Sequence, residues 1–163
     1  MVLSLKEAQG AMTGARYIES LRDGREVWID GERVKDVPTH PAFKDFVQAL
    51  ARVYDLQHTA EYRDRMTFIS PETGNRVSLS WLIPRSPEDL RRKRRNSEIW
   101  NELTWGQLGR SPDILAPYII SLVQRRHALS AVKNPHCDFG ENALNYYRYC
   151  MENDLFLTHA LGD

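Results

Sequence analysis

Apolar residues recur at helical spacing in the first third of the chain. Thr13 can cap a short helix that runs to about Leu21 and is stopped by Asp23-Gly24. After Pro41 a longer stripe of apolar side chains predicts an amphipathic helix of about fifteen residues. Its members share one helical face: Phe43, Phe46, Val47, Leu50, Val53 and Tyr54.

The second half of the chain carries further helix signals. Ser86-Pro87-Glu88-Asp89 combines a cap, a first-turn proline and two acids, which predicts a helix from here to about Leu108. Pro112 is expected to open the next helix, whose stripe comprises Leu115, Tyr118, Ile119, Leu122 and Val123. Residues 134–140 break the pattern. A last helix is predicted from about Glu141 to Leu155, with one side formed by Leu144, Tyr147 and Met151.

Two hairpins are predicted between the helices. Residues 26–29 lead into Asp30-Gly31, a pair that favours a type I′ turn, and residues 32–37 form the partner strand. In the second hairpin, residues 66–69 are one strand and residues 71–74 the turn. The other strand carries alternating Val77, Leu79 and Trp81. The predicted fold is therefore mainly α with small β-hairpins.

Composition narrows the class of protein. The 163 residues fit a single domain, and contents of 42% hydrophobic and 27% charged residues are typical of a globular protein. Basic and acidic residues both number 22, so no overall field favours nucleic acid or a membrane surface. No apolar run approaches the roughly 20 residues that span a bilayer. The start of the chain lacks signal-peptide features and two cysteines form no disulfide framework, which predicts a cytoplasmic location.

Two groups of residues could suggest nucleic-acid binding or metal binding, but their position in the sequence disfavours both functions. The basic run at residues 91–95 could bind nucleic acid, but it lies inside a predicted helix after two acids, so a solvated helix face is the favoured interpretation. The histidines and cysteines could suggest zinc. Their spacing fits no close-paired ligand pattern, and no metal site is predicted among His127, His136, Cys137 and Cys150.

Two short motifs near the end of the chain carry the candidate chemistry. Gly109-Arg110-Ser111-Pro112-Asp113 places a permanent cation between two predicted helices, and Leu157-Thr158-His159-Ala160 places an imidazole after an apolar stretch. Donors of these kinds can converge on an oxygen anion. Taken alone, a surface arginine and a structural histidine are the more common interpretation of such residues.

With their flanks, these motifs resemble the large component of the 4-hydroxyphenylacetate 3-hydroxylase family, the two-component monooxygenases that use reduced flavin. The resemblance begins at Met12-Thr13-Gly14 and continues through residues 17–27, 31–37 and 39–43 to the histidine motif. It implies that residues 1–163 form one helical N-terminal domain of the acyl-CoA dehydrogenase-like flavin monooxygenases. Family members are longer, so a flavin-binding middle domain and a C-terminal helical bundle that builds the oligomer are expected to be absent from this chain.

The resemblance also implies residue roles. Arg110 and His159 would contact the phenolic oxygen of a substrate that is hydroxylated ortho to its hydroxyl, with reduced FAD supplied by a separate reductase. A further substrate-side group comprises Ser111, Pro112, Asp113 and Ile114. The backbone expected against the flavin comprises His159, Ala160, Leu161 and Gly162. Family members have a tyrosine where this chain has Ile114, which removes one phenolic donor from the expected pocket.

Two alternatives remain open. A truncated paralogue could keep the fold as a binding or assembly module without catalysis. A related dehydratase family, which acts on 4-hydroxybutyryl-CoA, holds an iron–sulfur cluster with cysteines just ahead of the glycine that matches Gly109. Residues 103–108 contain no cysteine, which disfavours that chemistry. The identity of the phenol stays open, since a free acid, a halophenol or a carrier-bound phenol would each fit.

Overall fold

The computed structural model describes residues 4–103, 105–106 and 114–158, and these residues are mainly helical. The helices are α1 (Gly14–Ser20), α2 (Lys44–Leu56), α3 (Arg63–Met66), α4 (Pro87–Glu102), α5 (Ala116–Gln124), α6 (Arg126–Ala131) and α7 (Phe139–Asn153). The strands are β1 (Trp28–Ile29), β2 (Glu32–Arg33), β3 (Thr67–Ile69) and β4 (Arg76–Ser78). Short 3₁₀ turns span Val37–Thr39 and Leu79–Trp81. Within this described part, no helix is long and apolar enough to cross a membrane.

Helices α1 and α2 build the first of two hydrophobic cores. The Thr13 hydroxyl accepts a hydrogen bond from the Arg16 amide at 3.2 Å, so the predicted cap is confirmed. The predicted stripe of α2 is also confirmed, except that Phe46 is 45% exposed and lies at its edge. This first core comprises Met12, Tyr17, Val47, Leu50, Ala51, Val53, Tyr54, Met66, Ile99 and Trp100.

Both predicted hairpins form, and both are shorter than predicted. Asp30 and Gly31 adopt φ values of 49° and 81°, as a type I′ turn requires, but β2 ends at Arg33 rather than at residue 37. Strand β4 ends at Ser78, and Leu79–Trp81 turns into a 3₁₀ helix. The turn buries three successive side chains where a strand would expose alternate ones, and it frees the Ser80 carbonyl to accept from Lys93 Nζ at 2.6 Å.

Helix α4 starts as predicted and stops six residues early. Ser86 and Asp89 form a reciprocal capping box at its start. At its end, Trp105 and Gly106 adopt φ values of 53° and 68°, and the Gly106 amide bonds back to the Asn101 carbonyl at 2.9 Å. These left-handed residues end the helix at Glu102, so the predicted extension to Leu108 is wrong.

Three of the five residues of the basic run on α4 pair with acids of their own helix. Arg91 pairs with Glu88, Arg92 with Asp89, and Arg94 with Glu98, at distances of 3.1, 4.0 and 2.9 Å respectively. The arginines of these three pairs lie partly or largely in solvent. This arrangement agrees with the predicted solvated helix face.

Two of the three helices described after residue 113 start at other positions than predicted. Helix α5 begins at Ala116, four residues after the predicted start, and Tyr118 of the predicted stripe is 65% exposed. Val123 of the stripe is buried and Ile119 packs against the second core, as predicted, and they are joined by Ala116 and Ile120, which the predicted stripe did not include. Helix α7 begins at Phe139, because the Asp138 side chain caps the Gly140 and Glu141 amides. The second core comprises Val77, Trp81, Ala116, Ile120, Val123, Tyr147, Cys150 and Met151.

An N-terminal segment, residues 8–14, joins the two cores. The Gly10 amide donates to the Glu152 carbonyl at 3.0 Å, and the Ala11 amide donates to the Arg76 carbonyl at 2.7 Å. The Gly14 amide donates to the Asp55 carboxylate at 2.7 Å. At these three positions, backbone amides that would otherwise lose their hydrogen bonds to water on burial are satisfied by the protein.

Candidate functional site

Most residues of the predicted site lie outside the described residues. These are Arg110, Ser111, Pro112 and Asp113 of the first motif and His159, Ala160, Leu161 and Gly162 of the second. Ile114 is described and is 47% exposed just before α5. Thr158, the residue before His159, is described and exposed. The structure therefore places the flanks of the site, and the roles of the eight residues remain predictions.

The two flanks pack into the same core. Ala116, three residues after Asp113 in the sequence, is buried in the second core. Leu155 and Leu157, which precede His159, pack against that same core. The chain just after the arginine motif and the chain just before the histidine therefore lie on one hydrophobic cluster, which favours a shared site for the two motifs.

The segment leading to His159 is held from two sides. Residues 155–158 follow α7 without helical or strand hydrogen bonding. Leu155 and Leu157 face the second core, whereas Phe156 packs against the first, with its ring centroid 6.4 Å from that of Tyr17. Alternation of this kind is expected of extended backbone, where successive side chains point in opposite directions. The segment is thus fixed between the cores up to Thr158.

Asp154 turns the chain from α7 into this segment. Its φ and ψ of 48° and 53° are left-handed, and the Leu155 amide bonds back to the Cys150 carbonyl at 3.1 Å. The buried Asp154 Oδ2 accepts from the Met12 amide and from Gln57 Nε2, both at 2.8 Å. We refer to this carboxylate and its two donors as the Asp154 anchor.

Several donors partly offset the burial of the Asp154 carboxylate. Burial raises the pKa of Asp154, and the hydrogen bonds from Gln57, from the Met12 amide and from the Trp81 side chain oppose that rise. The positive charge of Arg16 also favours the ionised form. Sequence reasoning did not find this network, because its partners are 97 and 142 positions apart and neither aspartate nor glutamine forms part of a motif.

A second buried carboxylate lies at the same end of α7 and has a different role. Glu152 accepts from the hydroxyl of Ser70 and from that of Thr73, the latter at 2.6 Å. It therefore fixes the turn between β3 and β4 to the helix. Glu152 offers a natural comparison for Asp154. Its carboxylate bonds to the turn between β3 and β4, whereas that of Asp154, the residue just before the segment leading to His159, bonds to Met12 and Gln57.

The residues weighed as metal ligands do not come together. Within the described ranges, no group of three or more histidine, cysteine, aspartate or glutamate side chains could hold a metal ion. Both cysteines are free thiols. Burial raises the pKa of Cys150 to about 11, so this thiol stays protonated near neutral pH and packs as an apolar side chain.

The chain matches a known protein family over most of its length. The family model described as 4-hydroxyphenylacetate 3-hydroxylase N terminal matches residues 13–163. The chain belongs to this family. The match includes both motifs and both flanks described above.

Individual relatives agree with the family assignment. The chain is 41% identical over 152 residues to the 4-hydroxyphenylacetate 3-monooxygenase oxygenase component of Thermus thermophilus, covering 93% of this chain and 30% of that protein. It is 38% identical over 152 residues to the 4-nitrophenol 2-monooxygenase oxygenase component of a Rhodococcus species, covering 92% and 28%. The chain thus spans about 30% of the length of the curated relatives it matches.

Solved structures confirm the predicted fold class. A crystal structure of the oxygenase component of 4-hydroxyphenylacetate 3-monooxygenase, complexed with FAD and 4-hydroxyphenylacetate, matches with a TM-score of 0.80 and 38% identity. That match covers 90% of this chain and 29% of the other. An archaeal 4-hydroxybutyryl-CoA dehydratase matches with a TM-score of 0.70 and 23% identity, a likeness that shows the fold alone.

Proposed function

We propose that this chain forms the substrate-side part of a two-component monooxygenase that hydroxylates a phenol ortho to its hydroxyl, using reduced FAD and O₂. The observation that carries the proposal is the family match over residues 13–163, which includes the motifs of Arg110 and His159. The relative solved with FAD and 4-hydroxyphenylacetate supports the ligand classes. A phenolic substrate, a flavin reductase and further copies of the complete protein are the proposed partners.

The proposed chemistry depends on stabilising a phenolate. A phenol has a pKa of about 10 and is a weak carbon nucleophile while it keeps its proton. The Arg110 guanidinium and a protonated His159 would each donate a charge-assisted hydrogen bond to the phenolic oxygen, worth about 1.5–3 kcal/mol. Negative charge delocalised from that oxygen makes the ortho carbon nucleophilic. Substrate activation is therefore the role proposed for the residues of this chain.

Reduced FAD would supply the oxygen-activating chemistry when bound. The residues proposed to contact it are His159, Ala160, Leu161 and Gly162, through their backbone. Trp105 is 89% exposed on one side of the arginine motif in sequence, and Ile114 is 47% exposed on the other.

We expect the isolated chain to bind FAD weakly or undetectably, because only one short segment is proposed to contact the flavin. Fusing the chain to the C-terminal remainder of the Thermus thermophilus relative, hereafter the fusion enzyme, should restore affinity. Fluorescence titration of FAD against residues 1–163 and against the fusion enzyme measures the difference. Stoichiometric binding at about micromolar FAD by residues 1–163 alone would contradict this division of contacts.

The function is tested by supplying the fusion enzyme with chemically reduced FAD, O₂ and 4-hydroxyphenylacetate or another phenol. Chromatographic detection of the catechol supports the proposal. A folded fusion enzyme that binds FAD and yields no hydroxylated product from a panel of free, halogenated and carrier-bound phenols would favour the non-catalytic module instead.

Ile114→Tyr is expected to change substrate preference. A tyrosine there would restore a hydroxyl that can donate to the phenolate, and it would also fill space next to the ring. With 4-hydroxyphenylacetate we expect tighter binding and faster hydroxylation, and with a bulkier phenol preferred by the parent enzyme we expect a loss. Steady-state hydroxylation rates of the parent fusion enzyme and of its Ile114→Tyr variant, each with both substrates, measure this change in preference.

The matched control for this prediction is Tyr118→Phe, which removes a hydroxyl from an exposed tyrosine on the following helix. This control should leave both rates unchanged. If Ile114→Tyr is equally silent, position 114 does not line the pocket, and the role proposed for Arg110 in the same motif is weakened.

A further inference from the structure

The backbone conformation at position 154 is one that favours glycine, but the residue there is aspartate. The residue after α7 adopts left-handed φ and ψ, a conformation that glycine adopts freely and that few residues with a side chain adopt besides asparagine and aspartate. The carboxylate is also buried, with 3% of the residue exposed. An acidic side chain buried at a position that glycine could fill indicates that the carboxylate itself has a role.

That role is to connect three parts of the chain. The carboxylate accepts from the Met12 amide in the N-terminal segment and from Gln57 at the end of α2, while its own backbone starts the segment at residues 155–158. The Met12 carbonyl is held in turn by His58 Nε2 at 2.9 Å. Asp154, the residue just before the segment, is therefore tied by hydrogen bonds to Met12 of the first core and to Gln57 at the end of α2.

Only a short stretch of chain separates Asp154 from the predicted site residue His159. His159 is five residues after Asp154, an extended span of at most about 18 Å. Residues 155, 156 and 157 are each packed against one of the two cores, so they allow little slack. A displacement at Asp154 would be passed along the described segment towards the next residue, His159, and misplacement of a catalytic group by about 1 Å is enough to impair catalysis.

We propose that the Asp154 anchor is a positioning device that sets the course of residues 155–158, the segment that leads to His159. Asp154 and Gln57 would be positioning residues, and neither would touch substrate. This inference rests on the proposed function, since it assumes that His159 contacts the phenol.

The test uses NMR on residues 1–163 and three variants. Asp154→Gly keeps the left-handed backbone and removes the carboxylate, whereas Asp154→Asn keeps an acceptor oxygen and tolerates the same backbone. Glu152→Gln is the matched control, because it alters the other buried carboxylate at the same helix end. The measurements are amide hydrogen exchange at Leu155 and the imidazole resonances of His159.

We expect Asp154→Gly to accelerate exchange at Leu155 by about tenfold or more, the equivalent of losing one hydrogen bond to a charged group, and to shift or broaden the His159 resonances. Asp154→Asn should recover most of the parent behaviour. Glu152→Gln should perturb Ser70 and Thr73 while leaving His159 as in the parent. Should Asp154→Gly fail to fold, Gln57→Met removes one donor from the anchor and is expected to act in the same direction with a smaller effect.

Unchanged His159 resonances in Asp154→Gly would overturn the proposal. It would also be overturned if Glu152→Gln changed the His159 resonances as much, because Asp154 would then contribute only to general stability. The hydroxylation assay separates this inference from the proposed function. An anchor that controls His159 in a protein that never hydroxylates a phenol would support the positioning device and overturn the function.

Discussion

Arg110→Ala and His159→Ala are each expected to slow hydroxylation by roughly 10- to 150-fold in the fusion enzyme, if each substitution removes one charge-assisted hydrogen bond to the phenolate. The loss should be concentrated in the rate of the hydroxylation step, because the charge on the oxygen grows as the ring becomes nucleophilic. Single-turnover mixing of reduced fusion enzyme, phenol and O₂ measures that step directly.

Two controls accompany these variants. Arg94→Ala removes an exposed arginine that pairs with Glu98 on α4, and His136→Ala removes an exposed histidine before α7. Neither should change the rate, and reduction of FAD by the separate reductase should be the same in all four proteins. Hydroxylation at the parent rate in both Arg110→Ala and His159→Ala would remove these residues from the site.

Gly10→Ala is expected to destabilise the chain by about 2–5 kcal/mol. A Cβ at this position would overlap the Arg76 carbonyl oxygen, which is the acceptor for the Ala11 amide, and overpacking of this kind costs roughly 1–3 kcal/mol. The φ of 72° adds about 1–2 kcal/mol for any residue with a side chain. Urea unfolding followed by circular dichroism gives the free energy of unfolding.

Gly74→Ala is the matched control, since Gly74 has a similar φ of 77° and nothing lies within 4 Å of an added Cβ. It should cost only the backbone strain, about 1–2 kcal/mol. Equal losses in the two variants would show that the N-terminal segment can shift away from β4 without penalty, contrary to the close approach seen here.

Local signals in the sequence determined much of the fold. Thr13, the Ser86–Asp89 capping box and the Asp30-Gly31 turn act on backbone within four residues of themselves, so they could be interpreted without knowing what packs around them. The stripe of α2 likewise follows from periodicity alone. The candidate residues Arg110 and His159 came from motifs and their resemblance to a family, and their roles stay predictions.

Tertiary packing decided the features that the sequence did not show. The early end of α4 depends on left-handed residues at Trp105 and Gly106, and the 3₁₀ turn at Leu79–Trp81 depends on burying three successive side chains. Tyr118 is exposed because α5 packs against the second core through its other face. Hydrophobic periodicity predicts each helix or strand separately, so it does not show which other element that helix or strand packs against.

The Asp154 anchor shows this limit most clearly. In the sequence, Asp154 is one acid near the end of a helix, Gln57 follows another helix, and Met12 contributes only its backbone amide. Hydrogen bonds across 97 and 142 positions arise only when the two cores bring these segments together, because a hydrogen bond acts over about 3 Å and carries no sequence period. The sequence by itself therefore determined the longer helices, the two hairpins and the candidate site residues, whereas the tertiary structure decided what holds the segment leading to His159 in place.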